Sequence, residues 1–193
     1  VEFTGIGNTI DINVTENFNN LTVNKTDGST VTLVAGDTIV VLGNLVLTDG
    51  SFSETIDAKG SISIAGTFDG GSGGVLSVTG AADQSFTIPD GAGLPGIVLN
   101  GHAATTIDFV VGANVNVDND WDIQVGTLTA PSGTMTFASQ RDFTIGAGGT
   151  FNHNNGTVEV TGSGNTIDIN ATEKFKNLNE NKKDVSMVTM GVG

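Results

Sequence analysis

The chain has 193 residues, of which 28 are glycine, 3 are proline and none is cysteine. The lack of cysteine excludes a disulfide scaffold and a thiolate metal site. Acidic residues outnumber basic ones by 21 to 7, and the net charge of −14 excludes a nucleic-acid-binding protein, which needs a basic surface. Charged residues make up only 15% of the chain, too few for a helical bundle.

Short segments that alternate apolar and polar residues occur throughout the chain. In chain order, clear examples are residues 9–12, 61–64, 114–117 and 121–125. This period of two predicts β-strands with Val, Ile, Leu and Phe on one side and Thr, Asn, Asp and Ser on the other. No long run of consecutive apolar residues occurs, so the sequence predicts no membrane span.

Several phrases recur along the chain at one constant interval. The matching pairs are 43–45 (GNL) and 66–68 (GTF), 126–128 (GTL) and 149–151 (GTF), and 134–137 (TMTF) and 157–160 (TVEV). Short strands that recur in this way, with glycine or asparagine at the corners, are typical of the coils of a solenoid. The sequence therefore predicts an all-β fold, a parallel β-solenoid (β-helix) with coils of about 23 residues. A β-sandwich is the alternative, but it does not explain the constant interval.

Residues 81–112 depart from this pattern. They contain the turn phrases at Pro89 and Pro95, and the interval between Gly66 and Gly126 is not a whole number of such coils. We expect two or three irregular coils in this interval, with 81–112 as a candidate loop excursion from the solenoid.

A much longer repeat relates the beginning of the sequence to its end. Residues 1–36 return as 158–193, with 23 of 36 positions identical and no gap. We therefore expect residues 1–157 to form one full repeat unit and residues 158–193 to begin a second unit that continues the same solenoid. The parent protein is then a tandem array.

The phrases at 18–25, 30–33 and 43–52 carry a resemblance to a known group of proteins. The chain resembles the right-handed parallel β-helix repeats of large prokaryotic surface proteins, the adhesin and filamentous-haemagglutinin-like class. This resemblance implies a right-handed solenoid, an extracellular or cell-surface location and an architectural role without catalytic residues.

Three carboxylates at alternate positions form the candidate metal site. Asp118, Asp120 and Asp122 lie on one face of a predicted strand, and calcium prefers oxygen ligands of this kind. Alternate residues of a strand lie about 7 Å apart, so all three would share one ion only if a corner folds them inward. The alternative interpretation is a solvated acidic face without a cofactor.

A second acidic pair bears on catalysis. The spacing of Asp120 and Asp142 is close to one coil, so the two are expected to stack on adjacent coils, with Arg141 beside them. Such a group could belong to a polysaccharide-active enzyme, but a surface ion pair that braces the stack is the simpler interpretation. We expect the protein not to be an enzyme.

These observations favour a structural repeat module of a long extracellular surface or fibre-forming protein. We expect a stiff rod that self-associates head-to-tail into a fibre or array, aided by the basic residues within 174–183. The alternative function is an adhesin that binds a glycan or a cell surface through residues 81–122. A polysaccharide-active enzyme is the third and least favoured function.

Overall fold

The fold of the chain is that of a computed structural model. It describes residues 1–70, 73–110, 112–117, 119–138, 140–169, 173–181 and 189–190. These residues form β-strands, turns and bends, with no helix among them. Accordingly, this part of the chain holds no helix that could cross a membrane.

The strands follow one another at short intervals along the chain. In chain order they are β1 (Glu2–Gly5), β2 (Asn8–Ile10), β3 (Thr15–Phe18), β4 (Leu21–Lys25), β5 (Thr30–Leu33), β6 (Thr38–Val41), β7 (Leu45–Asp49), β8 (Ser51–Phe52), β9 (Thr55–Ala58), β10 (Ile62–Ile64), β11 (Val75–Val78), β12 (Ser85–Ile88), β13 (Gly96–Asn100), β14 (Thr106–Phe109), β15 (Val115–Val117), β16 (Trp121–Thr129), β17 (Thr134–Phe137), β18 (Phe143–Asn152), β19 (Thr157–Thr161), β20 (Thr166–Ile169), β21 (Asn177–Asn181) and β22 (Thr189–Met190).

The strands stack into three parallel faces around one core, which confirms the predicted parallel β-solenoid. The first face contains β1, β4, β7, β10, β12, β14 and the second halves of β16 and β18. The second face contains β2, β5 and β8, continues through the bridges at Phe68 and Leu94, and ends with β15, β17, β19 and β21. The third face contains β3, β6, β9, β11, β13, the first halves of β16 and β18, β20 and β22. Strands inside the stack therefore bond to the turns before and after them, and few backbone edges are left open.

The solenoid makes about eight turns of about 21 residues each. The recurring phrases of the second half are confirmed, because residues 126–128 pair with 149–151 and residues 134–137 pair with 157–160. The phrase at 43–45 does not match 66–68, since Leu45 pairs instead with Ile62, on a shorter turn. Turn length varies mainly because the corners differ in length. Register shifts within the pairs β4–β7, β13–β16 and β16–β18 add small differences.

Residues 81–112, expected as a loop excursion, contribute β12, β13 and β14 to the solenoid wall. These strands pair in parallel, with Ser85 beside Thr106 and Leu76 beside Ile97, and the register shifts once, between Leu99 and Asn100 of β13. The two prolines do not interrupt the wall, because they lie outside the strands, where no ladder hydrogen bond is lost.

The core is a continuous column of buried aliphatic and aromatic side chains. The core follows from the alternation of inward and outward side chains, since strands such as β4 and β17 bury every second residue. Aromatic rings stack along the interior: Phe137 and Phe143 lie 5.0 Å apart, and Phe143 and Phe151 lie 5.4 Å apart between ring centroids. Trp121, the first residue of β16, is fully buried.

The two copies of the long repeat lie on different faces. Strand β1 belongs to the first face, whereas the equivalent strand β19 belongs to the second; likewise β2 is on the second face and its equivalent β20 on the third. The local pairing is nevertheless the same, because Glu2 pairs with Thr22 and the equivalent Glu159 pairs with the equivalent Asn179. The second copy therefore lies about seven turns and one further face beyond the first.

Candidate functional site

The structure describes two of the three carboxylates of the candidate metal site. Asp120 lies exposed at the corner before β16, and Asp122 lies on β16, where its Oδ2 accepts a hydrogen bond of 2.6 Å from Gln124 Nε2. Asp118 lies outside the described residues. In the part of the chain that the structure describes, no group of three His, Cys, Asp or Glu side chains is placed to hold a metal ion. Calcium binding here therefore stays a prediction.

Asp120 and Asp142 stack on adjacent turns, as their spacing predicted. Asp120 Oδ1 accepts a hydrogen bond of 2.9 Å from the Asp142 amide, and Asp142 Oδ1 accepts one of 2.8 Å from the Thr166 amide. At a corner the chain turns away from the sheet direction, so its amides need acceptors other than strand carbonyls. The two aspartates supply these acceptors, each for the turn that follows it.

A second column of the same kind stands at another corner. Asp90 Oδ1 accepts from the Asn114 amide at 3.0 Å, and Asn114 Oδ1 accepts from the Thr134 amide at 3.0 Å. The sequence analysis did not predict that Asp and Asn side chains at the corners accept hydrogen bonds from backbone amides of the next turn. The available signal was an Asp or Asn just before a strand, repeated after one turn, as at Asp120 and Asp142.

Arg141 does not form the expected ion pair. The ion pairs within the described ranges join Lys59 to Asp57 at 2.8 Å and His102 to Asp83 at 2.5 Å, and neither includes Arg141. Its Nε is buried without a hydrogen-bond partner among the described residues, and its carbonyl accepts a 3.1 Å hydrogen bond from Asn165 Nδ2. Among the described residues, neither Asp120 nor Asp142 therefore forms an ion pair with Arg141.

A shallow cavity of about 310 Å³ lies where β9 leads into β10 and β11 into β12, lined by Lys59, Gly60, Ser61, Ala82, Asp83, Gln84 and Ser85. Its polar groups are mostly used within the fold. Gln84 is buried, donates from Nε2 to the carbonyl of Gly60 at 2.6 Å, and accepts at Oε1 from the Gly80 amide at 2.8 Å. The cavity therefore lies at a corner of the solenoid. Asp83 pairs with His102, and Ser85 Oγ accepts a 3.0 Å hydrogen bond from Thr106 Oγ1.

We predict that Asp142→Ala destabilises the fold by about 1–2 kcal/mol, because the Thr166 amide loses its acceptor. Asp142→Asn keeps the Oδ1 acceptor and is expected to remain within about 0.5 kcal/mol of the parent. Urea unfolding followed by circular dichroism measures both variants. Equal losses in the two variants would show that the negative charge, and not the hydrogen bond, is what the corner requires.

The site that the structure assembles is thus a set of hydrogen-bonded corners that hold successive turns in register. Comparison with known protein families, curated proteins and solved structures finds no match to this chain.

Proposed function

We propose that this chain is a structural module of a long extracellular surface or fibre-forming protein, in which it acts as a stiff rod. The observation that supports this most is the stack of parallel strands on three faces around one core, with the third face paired without a break from β3 to β22. The tandem repeat of the sequence extends the same pattern into a second unit. Such an architecture needs no catalytic group to perform its function.

Stiffness follows from the direction of the hydrogen bonds. In a β-solenoid the strand-to-strand bonds run along the rod axis, so bending or stretching the rod strains the bonds of three faces at once. The aromatic stack from Phe137 to Phe151 links neighbouring turns through the core in the same direction. The net charge of −14 favours separate, soluble rods because like charges on neighbouring rods repel and oppose lateral aggregation.

An extracellular or cell-surface location agrees with the composition. A chain without cysteine has no thiol to be oxidised outside the cell, and strong acidity keeps an exposed rod soluble. The resemblance to repeats of adhesin and filamentous-haemagglutinin-like proteins points to the same location. A role in adhesion is the alternative, with the surface around Asp83 as the place where a glycan would bind.

Electron microscopy of the purified chain tests the proposal. About eight turns at a spacing of about 4.8 Å give a rod about 38 Å long. We expect such rods to join end to end into thin, uniform filaments. Dispersed short particles would contradict a fibre-forming function and would favour the glycan-binding alternative.

The same preparation with and without a calcium chelator tests the cofactor. Filaments that fall apart in chelator and return with added Ca²⁺ would assign calcium to the protein, with Asp120 and Asp122 as the residues to substitute first. Filaments that are unchanged in chelator would contradict the calcium hypothesis and leave the fibre function intact.

A further inference from the structure

A ladder of hydroxyl side chains crosses four neighbouring turns on the first face. It runs in register from Ser85 to Thr106, Thr127 and Thr150. These side chains point away from the core, because the next residue of each strand is buried. Neighbouring members lie about 4.8 Å apart along the rod axis, and Thr106 Oγ1 donates a 3.0 Å hydrogen bond to Ser85 Oγ. The ladder is therefore a straight line of hydroxyl groups on the surface of the rod.

An open cleft of about 560 Å³ lies at the end of this ladder. Phe175 packs on Phe151 at the edge of the core, with 5.3 Å between the ring centroids. Lys174 is exposed beside Phe175 and continues the ladder one turn beyond Thr150. Because the cleft lies on the outer surface of the wall, turns stacked before or after it lengthen this face and do not cover it. The cleft is lined mainly by Thr127, Thr150, Asn152, His153, Glu173 and Lys174.

The hydroxyl groups and the ammonium group of the cleft are free to bind a ligand. Within the described ranges, no hydrogen bond uses the side chain of Thr127 or Thr150. Both ion pairs of the described residues lie elsewhere, so Lys174 has no carboxylate partner among them.

Two further groups of the cleft are held as hydrogen-bond donors. Asn152 Oδ1 accepts a 3.1 Å hydrogen bond from the Asn154 amide, which leaves Asn152 Nδ2 for a ligand. His153 Nδ1 accepts a 3.0 Å hydrogen bond from the Asn155 amide, so Nε2 carries the proton of the neutral ring. Together with the Lys174 ammonium group, these donors suit a ligand that carries an anionic group.

The second copy of the repeat brings positive charge to this face. Lys174 and Lys176 stand where the first copy has Asn17 and Asn19. The cleft and its rim thus hold two exposed lysines against one carboxylate, that of Glu173. In a chain with 21 acidic and 7 basic residues, this makes the cleft a local exception in charge.

We propose that this cleft binds an acidic glycan, with a carboxylate of the glycan at Lys174 and His153 and the neighbouring sugar rings along the hydroxyl ladder. A sugar ring in an extended polysaccharide is about as long as one turn is high, about 5 Å, so successive rings meet successive hydroxyls. Threonine hydroxyls both donate and accept hydrogen bonds, as sugar hydroxyls do. This binding function is additional to the proposed rod and does not require that rods assemble.

Asp108 narrows the class of glycan. It is partly exposed on the same face, beside the ladder at the level of Thr106 and three turns before Lys174. A carboxylate of the ligand at that level would be repelled, so a polymer with an acidic group on every ring fits poorly. In a glycan that alternates acidic and neutral rings, an acidic ring at Lys174 places a neutral ring at Asp108. These positions therefore favour an alternating acidic glycan.

Short hyaluronan oligosaccharides, which alternate a uronic acid with a neutral sugar, are the probe for this site. Titration calorimetry with the full chain should show binding that weakens as salt is added, because salt screens the carboxylate contact. Lys174→Asn restores the residue of the first copy and is expected to weaken binding about tenfold. Lys174→Arg keeps the charge and should retain most of the affinity. Thr150→Val removes one hydroxyl of the ladder and should weaken binding about threefold.

Thr144→Val is the matched control, because Thr144 lies on the third face in the first half of the same strand β18, and its affinity should equal that of the parent. On the ligand side, oligosaccharides with methyl-esterified carboxylates should bind about tenfold more weakly. The proposed site would be overturned if the parent chain did not bind hyaluronan oligosaccharides, or if Lys174→Asn or esterification left the affinity unchanged. Neither result depends on filament formation, which electron microscopy measures separately.

Discussion

Gly149→Ala is expected to lower the free energy of unfolding by about 3 kcal/mol, at the upper end of what overpacking costs. A Cβ atom at this position would lie 2.1 Å from the carbonyl oxygen of Ile123 on the preceding turn. That oxygen belongs to the backbone of β16, so it cannot move aside without breaking the pairing of β16 with β18. The added methyl group therefore forces the two turns apart.

Gly146 provides the matched control on the same strand. Its Cβ would meet no atom nearer than the Gln124 Cα at 3.4 Å, an ordinary contact. Gly146→Ala should therefore change stability by less than about 1 kcal/mol, and the reduced entropy of the unfolded chain acts in its favour. Guanidinium unfolding of both variants measures the difference. Equal effects would mean that turn spacing does not limit the residue at position 149.

Gly149 also shows what the sequence can predict. Its phrase repeats that of Gly126 one coil earlier, and the structure pairs these two glycines in register. From Val125 onward, after the register shift in this pair, the two turns share the motif without a further shift, so the repeat in the sequence reports the register directly. The all-β solenoid could be predicted for this reason, because every turn must satisfy the same alternation.

The predicted constant interval between equivalent residues was wrong where the corners change length. The turn from Leu45 to its partner Ile62 is much shorter than the turn from Ile97 to its partner Trp121. A corner contributes no alternating pattern, so its length leaves little trace in a sequence period. The same reason explains why residues 81–112 looked irregular although they carry three strands.

Side-chain contacts at the corners were predictable only in part. The stacking of Asp120 and Asp142 follows from their spacing, but the backbone amides that they accept from depend on how each corner turns. Lys25 is a further case. It is fully buried at an inward position and donates to the Thr4 carbonyl at 3.0 Å and to Asn8 Oδ1. Composition alone assigns a lysine to the surface, and only the partners from the neighbouring turn make this burial tolerable.

Phe143→Ala is expected to lower the free energy of unfolding by about 3–5 kcal/mol, the usual cost of removing a buried aromatic ring. Phe143 is 1% exposed and lies between Phe137 and Phe151, so its loss opens a cavity in the middle of the stack. Thr144→Ala is the control, because its side chain lies on the outward side of the same strand; less than about 1 kcal/mol is expected.

The position of the cavity also predicts where the rod opens. Stability in a solenoid is coupled mainly between neighbouring turns, so a weak junction lets the turns on either side unfold separately. In Phe143→Ala, amide hydrogen exchange should become faster in β17, β18 and β19 while β4 and β6 keep their protection. A uniform loss of protection would instead show that the rod unfolds as one unit. Separate opening would show that the solenoid yields first at its weakest pair of turns.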